Sequence, residues 1–507
     1  MKWLSNKFIL TICVALFALT YSSFFLQGLR LFDNDYNQWL TFAREISLPT
    51  VLWQIFNPIL DEWNVAFRPV QTLTFKALFS LFDYNASGYY FFKSFMLALF
   101  CATYYLFLRR HLSSKAVAAL SALFLTVASS TFVSLYWMSD FVIVSEFWAL
   151  LVFAVFLHLE TIDQPDRKKI VIGLILMVLL TLICDRTKAN GKLIPGILFL
   201  YIVLLDWRKL KRYGLAIGLM IIMLIPWPVL LSDPAPFLVT NTGTPASYAW
   251  QPASLYKFWV LFAGDFSPFS LFYSTYPPIS ILAVLGFPLV YLGIAAGIFL
   301  IFRKTPAPPA VRFMIVWTVV NLAALMSYPT LPPQFQARYA ISVLIPLLPL
   351  ALLGIHSTAG WIWKHRQAPT LLVVFLVTIQ IGFHCYHTVR MRNIGTPGYM
   401  IASDTMREYI ADNFSETGFF YYQLSVMAFR PTTTGNRFFS SKQHDFKEVV
   451  SSLPSGTPVF VISTVPLNES AFRLHATFPG KSDNWYDRIF NEDDNSLPVT
   501  LYLHQWL

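Results

Sequence analysis

The sequence predicts a polytopic α-helical membrane protein with about eleven transmembrane helices, followed by a small C-terminal α/β domain. Of its 507 residues, 56% are hydrophobic and 13% are charged, and the mean hydropathy is +0.54. Apolar runs of the length that crosses a hydrocarbon layer of about 30 Å, roughly 20 residues, recur up to position 390. Beyond position 393 these runs stop, and shorter helix-like and strand-like patterns alternate.

Eleven apolar runs account for the predicted spans. Lipid offers no hydrogen-bond partner to backbone polar groups, so each run is expected to be a helix. The runs are 8–27, 88–108, 115–136, 139–159, 170–184, 193–205, 214–231, 279–302, 312–328, 339–355 and 370–388. The first run follows two lysines, as a signal peptide does, but no small-residue cleavage site follows it, so it is interpreted as an uncleaved anchor.

Basic residues set the predicted orientation. A cytoplasmic N-terminus places fifteen lysines and arginines in cytoplasmic loops, as the positive-inside rule requires. They are Arg109, Arg110, Lys115, Arg167, Lys168, Lys169, Arg208, Lys209, Lys211, Arg212, Arg303, Lys304, Arg312, Lys364 and Arg366. The net charge of +10 therefore reflects membrane topology, which argues against nucleic-acid binding. The C-terminal domain is then periplasmic or extracellular, and we expect a bacterial inner membrane.

Two domains and two long external segments follow from this topology. Residues 1–392 form the predicted transmembrane domain and residues 393–507 the α/β domain. The external segment 28–87 contains two amphipathic patterns, "NQWLTFAREISLPTVLWQIF" and "FRPVQTLTFKALFSLF", which predict helices on the membrane surface. The external segment 232–278 is too long for a simple connection and is expected to cover a site.

The C-terminal domain shows alternating element types. "SDTMREYIADNF" and "HDFKEVVSSL" predict helices, while "GFFYYQLSVMAF" and "TPVFVIST" predict strands. The four cysteines lie far apart in or near predicted spans and indicate neither a disulfide framework nor a zinc site.

Charged residues at the external side are the candidate site residues. Asp33 and Asp35 directly follow the first span, and Arg68 precedes Pro69, which can begin a helix. The two aspartates are either functional carboxylates or solvated loop charges. Arg68 either holds a phosphate or contacts lipid headgroups. Asp140 stands at the external end of the fourth span, where it either caps the helix or binds an acceptor or metal. Glu146 lies deeper, where an acidic residue is costly and either functions or bonds a neighbouring helix.

A second group of charges lies in "DRTKANGKLIP", residues 185–195. This external link contains four charged residues close together: Asp185, Arg186, Lys188 and Lys192. Its positive charge must be compensated by an anionic ligand such as a lipid phosphate, by outer headgroups or by the nearby aspartate. Arg338 lies at the external start of the tenth span. His384 and His387 have helical spacing that suits a metal, but no carboxylate accompanies them, which favours an interfacial role.

These motifs together resemble the GT-C superfamily of polyprenyl-phosphate-dependent glycosyltransferases, particularly the dolichyl-phosphate-mannose-type and aminoarabinose-transferase-like members. Residues 67–112, beginning "FRPV", look like the "YRPL" segment of the tetratricopeptide-bearing O-mannosyltransferases and their bacterial relatives. "DNDY" is similar to their acidic pair. The resemblance gives Asp35 the catalytic position, with Asn34 at the first acid unless Asp33 supplies it through a DxD arrangement.

Two further segments extend the resemblance to about residue 390. "TKANGKLIPGILFL" resembles the family's lysine-containing segment, and Lys188 matches that lysine. "ARYAISVLIPLLPL" looks like the "RY…P" segment of the aminoarabinose-type enzymes, with Arg338 and Tyr339 carried over. Tetratricopeptide repeats are not evident in the C-terminal part, so acceptor recognition does not transfer from those relatives.

The resemblance implies an inverting glycosyltransferase that moves a hexose or pentose from a polyprenyl-phosphate carrier to an acceptor hydroxyl of a glycan, lipid or protein. Asp35 is the expected base, and Arg338, Lys188, Lys192 and Arg68 are expected to stabilise the departing phosphate. Some family members use a divalent metal such as Mg²⁺ or Mn²⁺, for which Asp33, Asp35 and Asp140 are the candidate ligands.

Two other functions remain open at this point. A flippase or transporter would place paired charges near the bilayer midplane, whereas here only Glu146 lies deep. A polysaccharide polymerase or ligase with a diphosphate-linked donor would need external arginines but would not need Asp35 as a base.

Overall fold

The structure is a computed structural model in which a bundle of apolar helices precedes a mixed β-sheet. It describes residues 14–15, 17–22, 46–56, 68–82, 85–112, 114–128, 131, 134–135, 141–162, 166–225, 308–326, 341–362, 371, 374, 378, 398–414, 419–422, 437–440, 445–467, 470–479 and 500–507. The chain divides into two compact units. The described helices up to residue 362 belong to the first unit, and the described residues from 398 onward belong to the second.

The structure gives the bounds of ten α-helices among the described residues of the first unit. They are α1 Leu48–Phe56, α2 Pro69–Phe82, α3 Ala86–His111, α4 Lys115–Val127, α5 Val142–Thr161, α6 Arg167–Thr187, α7 Leu193–Asp206, α8 Leu210–Leu224, α9 Pro309–Met326 and α10 Ile341–Ile362. Short 3₁₀ turns, Ala189–Lys192 and Trp207–Lys209, connect α6 to α7 and α7 to α8. Among these helices, four are long and apolar enough to cross a membrane: Ser87–His111, Val142–Thr161, Arg167–Thr187 and Ile341–Ala359.

Helix ends follow local capping chemistry. The side chains of Asn85, Ser114 and Asp166 accept hydrogen bonds from first-turn amides of α3, α4 and α6. The Asp166 cap makes α6 longer than the predicted run 170–184, because the helix includes the basic residues that a count of apolar residues leaves out. In contrast, α4 ends at Val127, well before the predicted limit of 136, because Ala128 adopts an extended conformation.

Helix α6 shows how the bundle divides between lipid and core. Its residues Ile172, Ile175, Leu176 and Leu179 are 41–55% exposed and share one helical face. The opposite face is buried and carries Gly173, Met177, Leu180 and Cys184, which pack mainly against α5. Because a soluble protein does not leave an apolar stripe of this kind in water, lipid tails are its natural cover.

Several predicted segments lie outside the described residues. They include the run 279–302, the external segment 232–278, most of 8–27 and nearly all of 370–388. The predicted surface pattern 67–82 coincides with α2, and the end of the pattern 37–56 coincides with α1. The count of eleven spans therefore stays a prediction.

The described residues of the second unit form a five-stranded sheet with strand order β2-β1-β3-β5-β4. The strands are β1 Phe419–Tyr422, β2 Arg437–Ser440, β3 Val459–Ser463, β4 Phe472–Pro479 and β5 Thr500–Trp506, with helices α11 Gly398–Asn413 and α12 Phe446–Ser451. Strand β1 pairs in parallel with β2 and β3, while β5 runs antiparallel to β3 and β4.

Alternating side chains give this sheet two covered faces. Phe420 and Phe460 pack with Met406 of α11 on one face, and Tyr421 and Val461 pack with Val449 of α12 on the other. Strand β3 is buried along its whole length, as expected for a strand covered on both faces. The strands predicted within 418–429 and 457–464 coincide with β1 and β3, whereas β2, β4 and β5 were not predicted.

Candidate functional site

One end of the helix bundle gathers polar groups from several helices. The Ser145 hydroxyl contacts the Cys184 thiol at 3.3 Å, which places the start of α5 beside the end of α6. The Ser342 hydroxyl donates to the Glu146 carboxylate, which brings the start of α10 to the same place. The Asn321 amide donates to the Ser342 carbonyl at 2.6 Å and adds the last turns of α9. We call this part of the bundle the Glu146 end.

Arg186 is a buried charge with several hydrogen-bond partners at the Glu146 end. Its side chain is 2% exposed and forms an ion pair with Asp185, whose side chain is 1% exposed. Its Nε donates to the carbonyl of Ile55 at 3.1 Å, and its Nη2 donates to the carbonyl of Met223 at 3.0 Å. One guanidinium thus connects α1, α6 and α8.

Both carbonyls that Arg186 contacts belong to the last turns of helices. Ile55 lies in the last turn of α1 and Met223 in the last turn of α8. The carbonyls of a last turn have no partner within the helix and carry the negative end of the helix dipole. A guanidinium that donates to two such ends and to a carboxylate has most of the compensation that a buried charge needs. Arg186 is therefore held by the protein itself, and the nearby aspartate, among the alternatives above, accounts for its charge.

A tight turn follows Arg186 and carries two lysines. Lys188 is 4% exposed, whereas Lys192 is exposed and adds a second positive charge near the Asp185 carboxylate. Between them, a Cβ atom on Gly191 would lie 2.4 Å from the backbone nitrogen of Asp185. Only glycine allows this close approach, so the turn holds both lysines beside the buried ion pair.

Arg68 is half-buried and directly precedes α2. Its carbonyl accepts hydrogen bonds from the backbone and the hydroxyl of Thr72, which fixes the first turn of α2. Helix α2 packs against both α1 and α6. The helix that begins beside Arg68 therefore contacts the helix that ends beside Lys188.

Aromatic packing places the start of α5 near the same helices. The Phe141 ring is 2% exposed and lies 5.1 Å from the Phe75 ring of α2 and 6.1 Å from the Phe92 ring of α3. Helix α5 begins at Val142 without a side-chain cap. The residue before Phe141 is the candidate Asp140, which itself lies outside the described residues.

Lys93 is a buried charge that the sequence reasoning missed. It lies two turns into α3, is 5% exposed and donates to the carbonyl of Ser134 at 2.9 Å. A lysine within an apolar span is costly and by default indicates a functional or structural role. The sequence signal is a lysine within the apolar segment "YYFFKSFML", away from the helix ends where most of the other candidate charges lie.

The opposite end of the bundle has its own charge cluster, which we call the Glu160 end. The Glu160 side chain is 6% exposed, forms an ion pair with Lys209 and accepts a hydrogen bond from the Tyr213 hydroxyl at 2.8 Å. Glu146 and Glu160 are fourteen residues apart on α5, or about 21 Å at 1.5 Å per residue. The two clusters therefore lie at opposite ends of one span.

The predicted site residues divide into two groups. Arg68, Lys188 and Lys192 are described, and α2, which follows Arg68, packs against α6, which ends beside Lys188. The others lie outside the described residues: Asp33, Asp35, Asp140, Arg338, Tyr339, His384 and His387. Within the described part of the chain, no group of three histidine, cysteine or carboxylate side chains is placed to hold a metal.

The fold defines a polytopic helical membrane protein, and comparison with solved structures identifies the fold. The chain is similar to ArnT from Cupriavidus metallidurans bound to undecaprenyl phosphate, with a TM-score of 0.56 and 14% identity over 98% of this chain and 97% of that chain. The apo state of the same protein matches with a TM-score of 0.55 and 14% identity, covering 99% of this chain and 98% of that chain.

Comparison by sequence found no match. No protein-family model matches the chain, and no curated protein matches it. The likeness to ArnT at 14% identity is a likeness of fold.

Proposed function

We propose that this protein is a membrane glycosyltransferase of the GT-C type, which moves a hexose or pentose from a polyprenyl-phosphate carrier to an acceptor hydroxyl on the outer side of the membrane. One observation carries the proposal: over 98% of its length the chain has the fold of ArnT, a protein crystallised with undecaprenyl phosphate. Two described cations support it: Arg68 and Lys188 border α2 and α6, which pack against each other, and Lys192 follows in the turn after Lys188.

The proposed reaction is a single displacement at the anomeric carbon. An acceptor hydroxyl is a poor nucleophile near neutral pH, so a carboxylate must take its proton as the new C–O bond forms. Asp35 is the proposed base and Asp33 the alternative. The bond between the anomeric carbon and the phosphate oxygen breaks as the new bond forms on the opposite side of the ring, so the anomeric configuration inverts.

Positive charge is needed where the phosphate leaves. The lipid phosphate gains negative charge as the glycosidic bond breaks, and preorganised cations that face this charge lower the barrier. Lys188 suits this role, because a buried ammonium interacts more strongly with an anion than an exposed one does. Arg68 and Arg338 are proposed as further phosphate ligands, with Tyr339 beside Arg338 and Lys192 at the exposed side.

Asp140 is proposed to bind the acceptor or donor sugar. If a divalent Mg²⁺ or Mn²⁺ ion takes part, Asp33, Asp35 and Asp140 are its proposed ligands, since carboxylate oxygens are what these ions prefer.

The decisive experiment is a transfer assay with the full chain in lipid nanodiscs. A panel of radiolabelled polyprenyl-phosphate sugars would be offered together with a membrane extract as the source of acceptor. Wild type should transfer one sugar, and Asp35→Asn should lose transfer while still binding the donor. Asp206→Asn removes a carboxylate from the end of α7 and should transfer as wild type does.

Each other result has a defined meaning. Normal transfer by Asp35→Asn would show that Asp35 is not the base and would leave Asp33 as the candidate. If folded wild type transfers no sugar from any monophosphate donor, the proposal falls. Movement of a lipid-linked glycan across proteoliposomes, or transfer from a diphosphate-linked donor, would then identify a flippase or a polymerase.

A further inference from the structure

We propose that Arg186 is a positioning residue that sets the place of Arg68 relative to Lys188, and so the geometry of the phosphate site; this inference rests on the proposed function. Arg186 cannot itself serve as a phosphate ligand in this arrangement. Its side chain is 2% exposed, and its donors point at Asp185 and at the carbonyls of Ile55 and Met223.

Helices α1 and α2 form one packed pair, which we call the surface pair because the sequence patterns of both predict helices on the membrane surface. They pack against each other, and the Lys76 ammonium of α2 donates to the carbonyl of Ile46, two residues before α1, at 2.8 Å. Val51 of α1 and Phe75 of α2 are completely buried. Arg68 precedes the first residue of α2 by one position, so a shift of the pair shifts Arg68.

Arg186 joins this pair to the membrane-spanning helices. Its side chain holds the end of α1 through Ile55, while its backbone belongs to the last turn of α6. Lys188 follows only two residues later and is itself buried. One connection from Arg68 to Lys188 therefore runs through this helix pair and the Arg186 guanidinium, in addition to the direct packing of α2 against α6.

The bond to Met223 adds the end of α8 to the same group. Because a guanidinium is planar and has donors in fixed directions, its bonds to Asp185, Ile55 and Met223 define one relative arrangement of three helices. A lysine keeps the charge but lacks this fork. The side chain at position 186 thus decides how precisely the surface pair is held, while the apolar contacts of Val51 and Phe75 remain in any variant.

The test uses the intact protein in nanodiscs and two readouts that do not require sugar transfer. Hydrogen exchange of the backbone amides of α1 and α2 measures how firmly the pair is held. The dissociation constant for undecaprenyl phosphate measures the phosphate site. The variants are Arg186→Gln and Arg186→Lys, and Lys209→Ala at the Glu160 end is the matched control, because it also removes a cation that pairs with a carboxylate.

In Arg186→Gln we expect amide exchange in α1 and α2 to rise about tenfold and the dissociation constant to rise by a similar factor, equal to about 1.4 kcal/mol. Arg186→Lys should fall between this variant and wild type, and Lys209→Ala should match wild type in both readouts. If Arg186→Gln does not fold, Arg186→Lys decides alone, with an expected change of about threefold in both readouts.

Unchanged exchange in α1 and α2 of a folded Arg186 variant would overturn the inference. So would faster exchange without a change in the dissociation constant, since Arg186 would then hold the pair without affecting the phosphate site. With an active enzyme, a positioning role raises KM for the donor more than it lowers kcat, whereas loss of folded protein lowers kcat alone. Failure of wild type to transfer sugar would count against the proposed function and would leave the exchange result intact.

Discussion

The Glu146 carboxylate accepts a hydrogen bond from the hydroxyl of Ser342, a residue 196 positions further along the chain. Glu146 is 3% and Ser342 8% exposed, so the pair lies inside the bundle and joins α5 to α10. Arg338 and Tyr339, the candidate ligands that the family resemblance indicated, come just before α10 in the sequence. The start of the helix that follows them is therefore anchored by a buried acid.

Loss of the Ser342 hydroxyl should destabilise the bundle. Ser342→Ala removes a bond to a charged group from a buried site, which costs about 1.5–3 kcal/mol. Thermal unfolding in nanodiscs would show a lower midpoint. Thr103→Ala is the control, because the Thr103 hydroxyl is exposed and donates to the carbonyl of Leu99 within the same helix. An equal effect of the two substitutions would show that the bond to Glu146 adds nothing.

Gly191 should tolerate no side chain. A Cβ atom there would meet the backbone of Asp185 at 2.4 Å, and a main-chain atom cannot rotate away. We expect Gly191→Ala to cost about 1–3 kcal/mol by overpacking. Gly196→Ala, in α7, has nothing within 4 Å of the added carbon and should be neutral or stabilising by about 1 kcal/mol. Comparison of unfolding midpoints tests both, and a stable Gly191→Ala would contradict the close approach.

The stability of the second unit should fall as the pH falls. Burial lowers the pKa of His504 below its ordinary value of 6.5, and the Nε2 atom of this residue accepts a hydrogen bond from the Leu467 amide at 3.2 Å. Below about pH 6.5, His504 binds a proton more readily in the unfolded chain than in the folded sheet, so acid favours unfolding. At higher pH both states are neutral and this effect vanishes.

Hydrogen exchange of β3 and β5, corrected for the intrinsic pH dependence of exchange, would measure this effect in the full chain. Protection should decrease between pH 7.5 and pH 5.5 in wild type and decrease less in His504→Gln. His475→Gln is the control, because the His475 ring contacts the Tyr409 hydroxyl at an exposed position. A pH profile that His504→Gln leaves unchanged would assign the dependence to other groups.

Tyr213→Phe should lower stability without impairing transfer. Its hydroxyl donates to the Glu160 carboxylate at 2.8 Å, so its removal should cost about 1.5–3 kcal/mol. The Glu160 end lies about 21 Å from the Glu146 end along α5, so donor KM should not change. Unfolding midpoints and donor titrations of the same preparation check the two parts, and a raised KM would mean that the two ends are coupled.

Apolar periodicity predicted much of what the described residues show. Helix α2 lies where the amphipathic pattern and the proline placed it, and β1 and β3 lie within the predicted strands. Strands β4 and β5 were not predicted, because β4 is mostly exposed and β5 carries polar and aromatic residues among its apolar ones. Such sequences form strands only when a neighbouring strand supplies hydrogen bonds.

The roles of individual charges could not be read in the same way. Arg186 and Lys188 stand two positions apart in one motif, and the sequence made both candidates for an anion. In the fold, the Arg186 guanidinium donates hydrogen bonds to the carbonyls of Ile55 and Met223, which lie 131 and 37 positions away in the sequence. No local pattern encodes that choice, because it depends on where two other helices happen to end.

By itself, the sequence determined the class of the protein, because the length of apolar runs and the distribution of basic residues respond to the thickness and polarity of a membrane. It also determined which side chains were unusual, since charge near lipid is costly wherever it occurs. Only the tertiary structure decided which charges are satisfied by the protein and which border the proposed phosphate site. Hydrogen bonds to distant carbonyls form between segments that the chain brings together only after its helices have packed.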